Sequence, residues 1–279
     1  MTVLTSTVDI KKRGIAAGIS AGFLGIVVIA AVFAPWIAPY EPDGIDLSAT
    51  LEGPSWQHLL GVDQSGRDLL SRIIWGARET LLGPLALLAI AAVLGVVLGT
   101  VAAWRGGWLD TVISRLTDVM YAFPGLLFVV LVVAVFGDGM VTAVIALGLA
   151  FAPTIAKFTR SLALAERTRP YIDAYRVQGV GGVQLCTRYL VPNIAPAILG
   201  YLVVLFGEAL MGLATLSYLG FGAQPPSADW GLMVQEGQPA LVLGAALPAL
   251  VPGLTIALVV VAFNVVGVRL ADRLKPGGR

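Results

Sequence analysis

Six apolar runs dominate this chain of 279 residues and leave it few ways to fold. They cover residues 15–37, 81–103, 116–136, 140–155, 194–211 and 247–268. A helix rises about 1.5 Å per residue, and the hydrocarbon core of a bilayer is about 30 Å thick. Each run therefore reads as a transmembrane helix, the fourth being the shortest and extending past Lys157 by snorkelling of that side chain. Charged residues make up 13% of the chain, against about 25% in a soluble domain. Lipid is thus the expected solvent. The first run follows Lys11, Lys12 and Arg13, in the manner of a signal peptide. At about 20 residues it exceeds the 7–15 of a signal core, so it is expected to be retained as a membrane helix.

The charges between the runs set the orientation. One side collects Lys11, Lys12, Arg13, Arg105, Arg115, Lys157, Arg160, Arg167, Arg169, Arg176 and Arg188, then Arg269, Arg273, Lys275 and Arg279. The other holds Arg67, Arg72 and Arg78 among many acids, including Asp63, Asp68, Asp229 and Glu236. Positive residues stay inside, so both termini are expected in the cytoplasm. The division that follows is a cytoplasmic tail at 1–14, a first membrane helix at 15–37 and an extracytoplasmic segment at 38–77. A five-helix membrane domain at 78–271, with a cytoplasmic segment at 164–193, and a tail at 272–279 complete it. The 38–77 segment carries Pro39, Pro42 and Pro54 and reads as mostly irregular. Trp36, Trp56, Trp75 and Trp230 fall where interfacial anchors belong. Gly95 and Gly99 form a GxxxG pair, suited to packing within the chain or to a dimer seam.

Several chemistries are excluded. One cysteine, Cys186, allows no internal disulfide, and one histidine, His58, allows no multi-histidine metal site. His58 reads as a surface loop residue, and Cys186 as a small apolar contact. No Gly-Lys dipeptide occurs, so no P-loop lysine can reach a phosphate. Neither G-x-S-x-G nor H-E-x-x-H is present. No basic tract with interleaved aromatics suggests nucleic acid.

The polar segment from Tyr171 to Pro192 stands out between two apolar runs. Pro170 suits a first helical turn. Ile172, Tyr175, Val177 and Val180 make an apolar stripe at helical spacing, which Gly179, Gly181 and Gly182 interrupt. Val183, Leu185 and Leu190 continue it, and Pro192 is expected to end it before the fifth span. Two short helices around a glycine turn, docked on a partner, are the expected form.

These residues resemble the cytoplasmic signature of the permease subunits of bacterial ATP-binding-cassette importers, in the dipeptide, oligopeptide and nickel branch. That signature reads Glu-Ala-Ala, three residues, Gly, nine residues, Ile-x-Leu-Pro. Asp173, Ala174, Tyr175, Gly179, Tyr189, Val191 and Pro192 occupy the matching positions. Tyr175 replaces an alanine, Tyr189 and Val191 replace Ile and Leu, and Gly181-Gly182 stands where a Ser-Asp cap is frequent. Leu60–Arg78, Asp118–Pro124, Leu216–Pro226 with Trp230–Met233, Pro252–Leu258 and Ala262–Gly267 resemble further segments of the branch. Leu213 stands near a frequent glutamate, and Val268 at a frequent aspartate.

The resemblance implies an all-α membrane protein of six transmembrane helices with the type I importer fold. It implies a subunit without its own ATPase site or cofactor, in the bacterial cytoplasmic membrane. Expected partners are a homologous second permease, two ATPase subunits binding ATP and magnesium, and an extracytoplasmic solute-binding protein. Tyr171, Asp173, Ala174, Tyr175, Gly179, Tyr189 and Pro192 would couple to the ATPase. The solute would be a di- or oligopeptide, with nickel or a metal chelate as the alternative. Asp118, Glu208 and Asn264 are candidates for the translocation path. Asp118 could equally reach Arg115 or water, and Glu208 could bond a neighbouring helix. A secondary transporter driven by an ion gradient would need such membrane carboxylates, and only Asp118 and Glu208 lie within the runs.

Overall fold

A computed structural model describes residues 2–274, with side chains for 15–270. The side chains of Lys11, Lys12, Arg13, Arg273, Lys275 and Arg279, and most of the 272–279 tail, lie outside the described residues. Every named element is helical: α1 (Thr2–Ile37), α2 (Leu69–Arg105), α3 (Gly107–Ala122), α4 (Gly125–Phe136), α5 (Met140–Glu166) and α6 (Pro170–Val177). Then follow α7 (Gly182–Leu185), a π-helical turn (Cys186–Leu190), α8 (Val191–Tyr218), α9 (Trp230–Val242) and α10 (Leu247–Leu274). α1, α2, α5, α10 and the continuous helix Gly182–Tyr218 are long and apolar enough to cross a membrane.

The third expected span differs. α3 and α4 meet at an 88° bend instead of forming one rod. Pro124 has no N–H, and it pushes Phe123 out of the helical region, to φ −84° and ψ 129°. The helix before it stops there.

α2 is the central element and lies against α5. Gly95 and Gly99 make this possible. A Cβ on Gly95 would lie 2.7 Å from Ile155 Cβ, and one on Gly99 would lie 2.8 Å from Thr159 Cβ. The GxxxG pair is thus spent within the chain, in the small-residue packing that membranes favour. Leu87, Ala91, Ala143, Ala146 and Ile155 fill the same seam. α8 closes on α10 through Phe206 and Phe263, whose ring centres are 4.0 Å apart. α5 runs on to Glu166, well past Lys157.

Helix α2 begins at Leu69, within the segment expected to be irregular, because the Asp68 carboxylate accepts the Ser71 N–H at 2.8 Å. The preceding 38–68 stretch holds a single 3₁₀ turn, Leu47–Ala49.

Candidate functional site: a helical elbow and a polar stripe

The elbow comprises α6, α7 and the turn between them. Pro170 opens α6, and Gln178 caps its end. The Gly179 N–H donates to Arg176 O at 3.0 Å, and the Val180 N–H to Tyr175 O at 3.1 Å. This is a Schellman closure, and it needs the left-handed conformation that Gly179 adopts at φ +81°. Gly182 serves a different need: a Cβ there would come within 2.8 Å of Trp104 Nε1.

Side chains then fix the elbow to its neighbours. Ile172, Leu185 and Leu190 are fully buried. The Tyr171 hydroxyl donates to Glu166 Oε1 and accepts from Asn193 Nδ2, each at 2.8 Å. One phenol thereby ties the end of α5 to the start of α8. Burial pushes the Tyr171 phenol above its ordinary value. The Arg167 guanidinium donates to the Ala103 carbonyl of α2. Arg176 lies 4.9 Å from the Trp104 ring and 3.1 Å from Asp173.

Pro192 does not end the segment. α7, the π turn and α8 form one unbroken helix from Gly182 to Tyr218. Pro192 lies inside this helix, and the π turn directly before it, in which the Val191 N–H donates to Cys186 O, carries the helix across a residue without an N–H. The apolar stripe is also split. Ile172 faces inward, whereas Val177 is 89% exposed and Val183 is 75% exposed. Two bare valines, Asp173, Ala174 and Gly179 therefore form the open surface of the elbow.

A second group of residues lines one side of α8. Tyr201, Glu208 and Thr215 recur every seven residues and so share a face. Glu208 is exposed in mid-span, and no described residue hydrogen-bonds to it. Tyr201 stacks on Phe158 at 4.3 Å and stands within electrostatic reach of Glu208 and Tyr121. Beside Tyr121, Lys157 pairs with Asp118 at 2.8 Å and lies 4.6 Å from the Tyr121 ring. Asp118 is thus paired with Lys157, and Arg115 lies within electrostatic reach of it. Asn264 is half-buried in the α8–α10 seam, its amide against Gly207.

At the opposite end of the bundle a buried ion network clamps the 38–68 stretch and α9 onto α2. Asp63 Oδ2 accepts from Arg67 Nε and Arg72 NH1, each at 2.8 Å. Glu236 Oε2 accepts from Arg67 NH2 and Arg72 NH1, again at 2.8 Å. Arg72 is only 1% exposed. His58 belongs here too: it is buried, and its Nδ1 lies 2.9 Å from Asp68 Oδ1. The surface-loop expectation for it fails because Tyr40 covers its ring at 5.0 Å. Trp230 is likewise no interfacial anchor. It is buried, and its indole N–H donates to Ile73 O at 3.0 Å. The Asp229 carboxylate caps α9 by accepting the Leu232 N–H at 3.1 Å and the Thr80 hydroxyl at 3.0 Å. Burial holds its acid above the ordinary value.

Residues 95–279, well over half of the chain, match the family described as the binding-protein-dependent transport system inner membrane component. The chain belongs to this family. It is a permease subunit of an ATP-binding-cassette importer. Residues 12–54 match the N-terminal transmembrane domain of oligopeptide transport permease C. The glutathione transport system permease protein GsiD of Escherichia coli O6:K15:H31 is 36% identical over 255 residues, covering 91% of this chain and 84% of that protein. The di/tripeptide transport system permease protein DppC of Pseudomonas aeruginosa is 37% identical over 260 residues, covering 91% and 86%. A putative peptide transport system permease protein of Brucella suis biovar 1 is 36% identical over 274 residues, covering 98% and 91%. Among solved structures, the inward-facing MetNI methionine ABC transporter gives a TM-score of 0.57 at 19% identity, covering 72% of this chain and 95% of that one. That likeness establishes the shared type I importer fold.

Within the permease, two departures from the elbow signature are one physical feature. The Tyr175 and Tyr189 rings pack at 4.2 Å. An alanine and an isoleucine have been exchanged for an aromatic pair that joins α6 to the π turn. The Gly181-Gly182 pair leaves α7 without a side-chain cap, and continuity with α8 supplies the stability instead.

Proposed function

We propose that this permease carries peptides, as the names of its relatives say of them, and that its driving force enters through the elbow. The chain forms half of a path in the bacterial inner membrane, the other half being a homologous permease. Two ATPase subunits, binding ATP and magnesium, sit on the cytoplasmic side, and a solute-binding protein delivers the peptide from outside. Both termini are cytoplasmic. The division proposed is a 1–14 tail, a helix at 15–37, an outer segment at 38–77, a core at 78–271 containing the elbow at 164–193, and a 272–279 tail.

The observation carrying this reading is the unbroken helix from α7 into α8. A short free helix on a loop would absorb a push. A continuous rod passes it to the membrane. When ATP closes the ATPase pair, Val177, Val183, Asp173, Ala174 and Gly179 move with the surface that holds them. Tyr171 transmits the motion to α5 and α8 together, and Tyr175, Tyr189 and Pro192 keep the elbow joined to the rod. The two spans tilt, and the path changes the side to which it opens. Glu208, Tyr201 and Thr215 face that path, since a bare carboxylate is too costly in lipid. Asp118, held by Lys157, lies at its inner end, and Asn264 supports α8 from behind.

Reconstitution of the full importer in proteoliposomes tests this. Vanadate-sensitive, ATP-dependent peptide uptake that requires the ATPase subunits is expected. Uptake that persists without ATP and follows an ion gradient overturns it.

A further inference from the structure

A groove of about 870 Å³ opens beside the elbow, between the last turns of α2, the start of α3 and the α7–π–α8 rod. Of its lining, the proposed function uses only Val183, at the elbow end. Val96, Val97, Val101, Leu109 and Val191 give it an apolar floor. Its rim is different. Trp104 and Arg105 line it, and Arg176 lies over Trp104. Arg105 is exposed and forms no ion pair among the described residues.

The groove follows α2 from Val96 to Arg105, about 13 Å at 1.5 Å per residue. Both long walls belong to spans, so its deep end lies in hydrocarbon and its rim at the headgroups. Thr100 lines it about 7 Å below Arg105, roughly midway. The Thr100 hydroxyl oxygen is sealed from the groove, so Thr100 adds only apolar wall. From rim to floor the groove is therefore cationic, then apolar. A phospholipid has this order: phosphate, then acyl chain. Gly95 and Gly99 meet α5, whereas Val97, Val101 and Arg105 remain exposed along the groove.

We propose that this groove is a binding site for an anionic phospholipid of the cytoplasmic leaflet. Arg105 holds its headgroup, Arg176, paired with Asp173, flanks it over Trp104, and an acyl chain lies along α2 and α8. The leaflet rests on the reading that the elbow faces the cytoplasm. Because Arg176 also belongs to the elbow, the lipid braces the elbow against α2. Charge complementarity selects the anionic headgroup, since a basic residue near a membrane surface favours anionic lipid by about fivefold.

The test uses the assembled importer in nanodiscs of equal phosphatidylglycerol and phosphatidylcholine. Lipids retained after detergent extraction are counted by native mass spectrometry. The wild type is expected to retain phosphatidylglycerol with a preference of about fivefold or more. Arg105→Gln loses that preference, Arg105→Lys keeps it, and Val97→Phe, which fills the floor, loses the retained lipid. Equal retention of both lipids by the wild type, or an unchanged preference in Arg105→Gln, overturns the site. A disulfide between Val97→Cys and a cysteine in the second permease also overturns it, because a protein helix then fills the groove. ATP-dependent uptake by the same particles separates the two readings. Its absence contradicts the permease mechanism, while lipid preference is scored independently.

Discussion

Gly179 lies at the tip of the elbow, and its replacement separates coupling from folding. Its φ is +81°, and no atom lies within 4 Å of where a Cβ would stand. A side chain therefore meets no clash, and the whole cost is torsional. An L-residue in the left-handed region costs about 1–2 kcal/mol, with more for a β-branched one. That corresponds to a shift of about five- to thirtyfold between turn conformations. The strain acts on the Schellman closure alone, because Ile172, Leu185 and Leu190 remain buried around it. Gly179→Val should therefore insert normally and melt about 2–5 °C below the wild type. Its ATP hydrolysis should continue while peptide uptake falls severalfold. Gly179→Asn, which tolerates this conformation better, should retain more uptake. The assay is paired ATPase and uptake measurement in proteoliposomes. Wild-type uptake per ATP in Gly179→Val would refute the reasoning, and so would loss of the folded subunit.

Four further outcomes follow. Arg72→Met leaves Asp63 and Glu236 short of a buried cation and should cost about 3–5 kcal/mol, seen as a large fall in the melting temperature in detergent. At Gly99 an alanine Cβ would lie 2.9 Å from Arg160 N, which is backbone and cannot yield, so Gly99→Ala should cost about 1–3 kcal/mol in the same assay. Asp229 is an acid whose folded value is raised by burial above 3.8. Its stabilising contribution is complete below that pH and is lost as the pH rises through the raised value. The wild type minus Asp229→Asn difference in melting temperature should therefore decline as pH increases above 3.8, since Asn keeps the helix cap but cannot ionise. Glu208→Gln should lower uptake while subunit insertion and assembly stay intact, as quantified by co-purification.

The apolar runs specified five long helices because twenty apolar residues have one good conformation in lipid. The third run, expected as one straight helix, is bent at Pro124. The run 116–136 is continuous in hydrophobicity, but hydrophobicity does not register a missing N–H. Pro124 itself was the available signal. Pro192 was misjudged in the opposite sense, since the π turn before it keeps the helix going, and that turn depends on hydrogen bonds that sequence does not display. The elbow's glycines were legible as needing special geometry, though Gly179 uses a positive φ and Gly182 a close approach to Trp104. The outer ion network was not legible. Arg72 and Glu236 are 164 residues apart, and in sequence both look like ordinary loop or helix-end charges. Burial of His58 and Trp230 has the same origin, because both are covered by residues brought together only by the fold.

Site-specific photocross-linking at position 177 tests the central claim most directly. Val177 is the most exposed apolar residue of the elbow. A photoreactive residue there, activated in whole cells, is expected to capture the ATPase subunit, with a yield that changes when ATP turnover is trapped by vanadate. Capture of the solute-binding protein instead, or labelling of that position by a membrane-impermeant reagent from outside, would contradict the account.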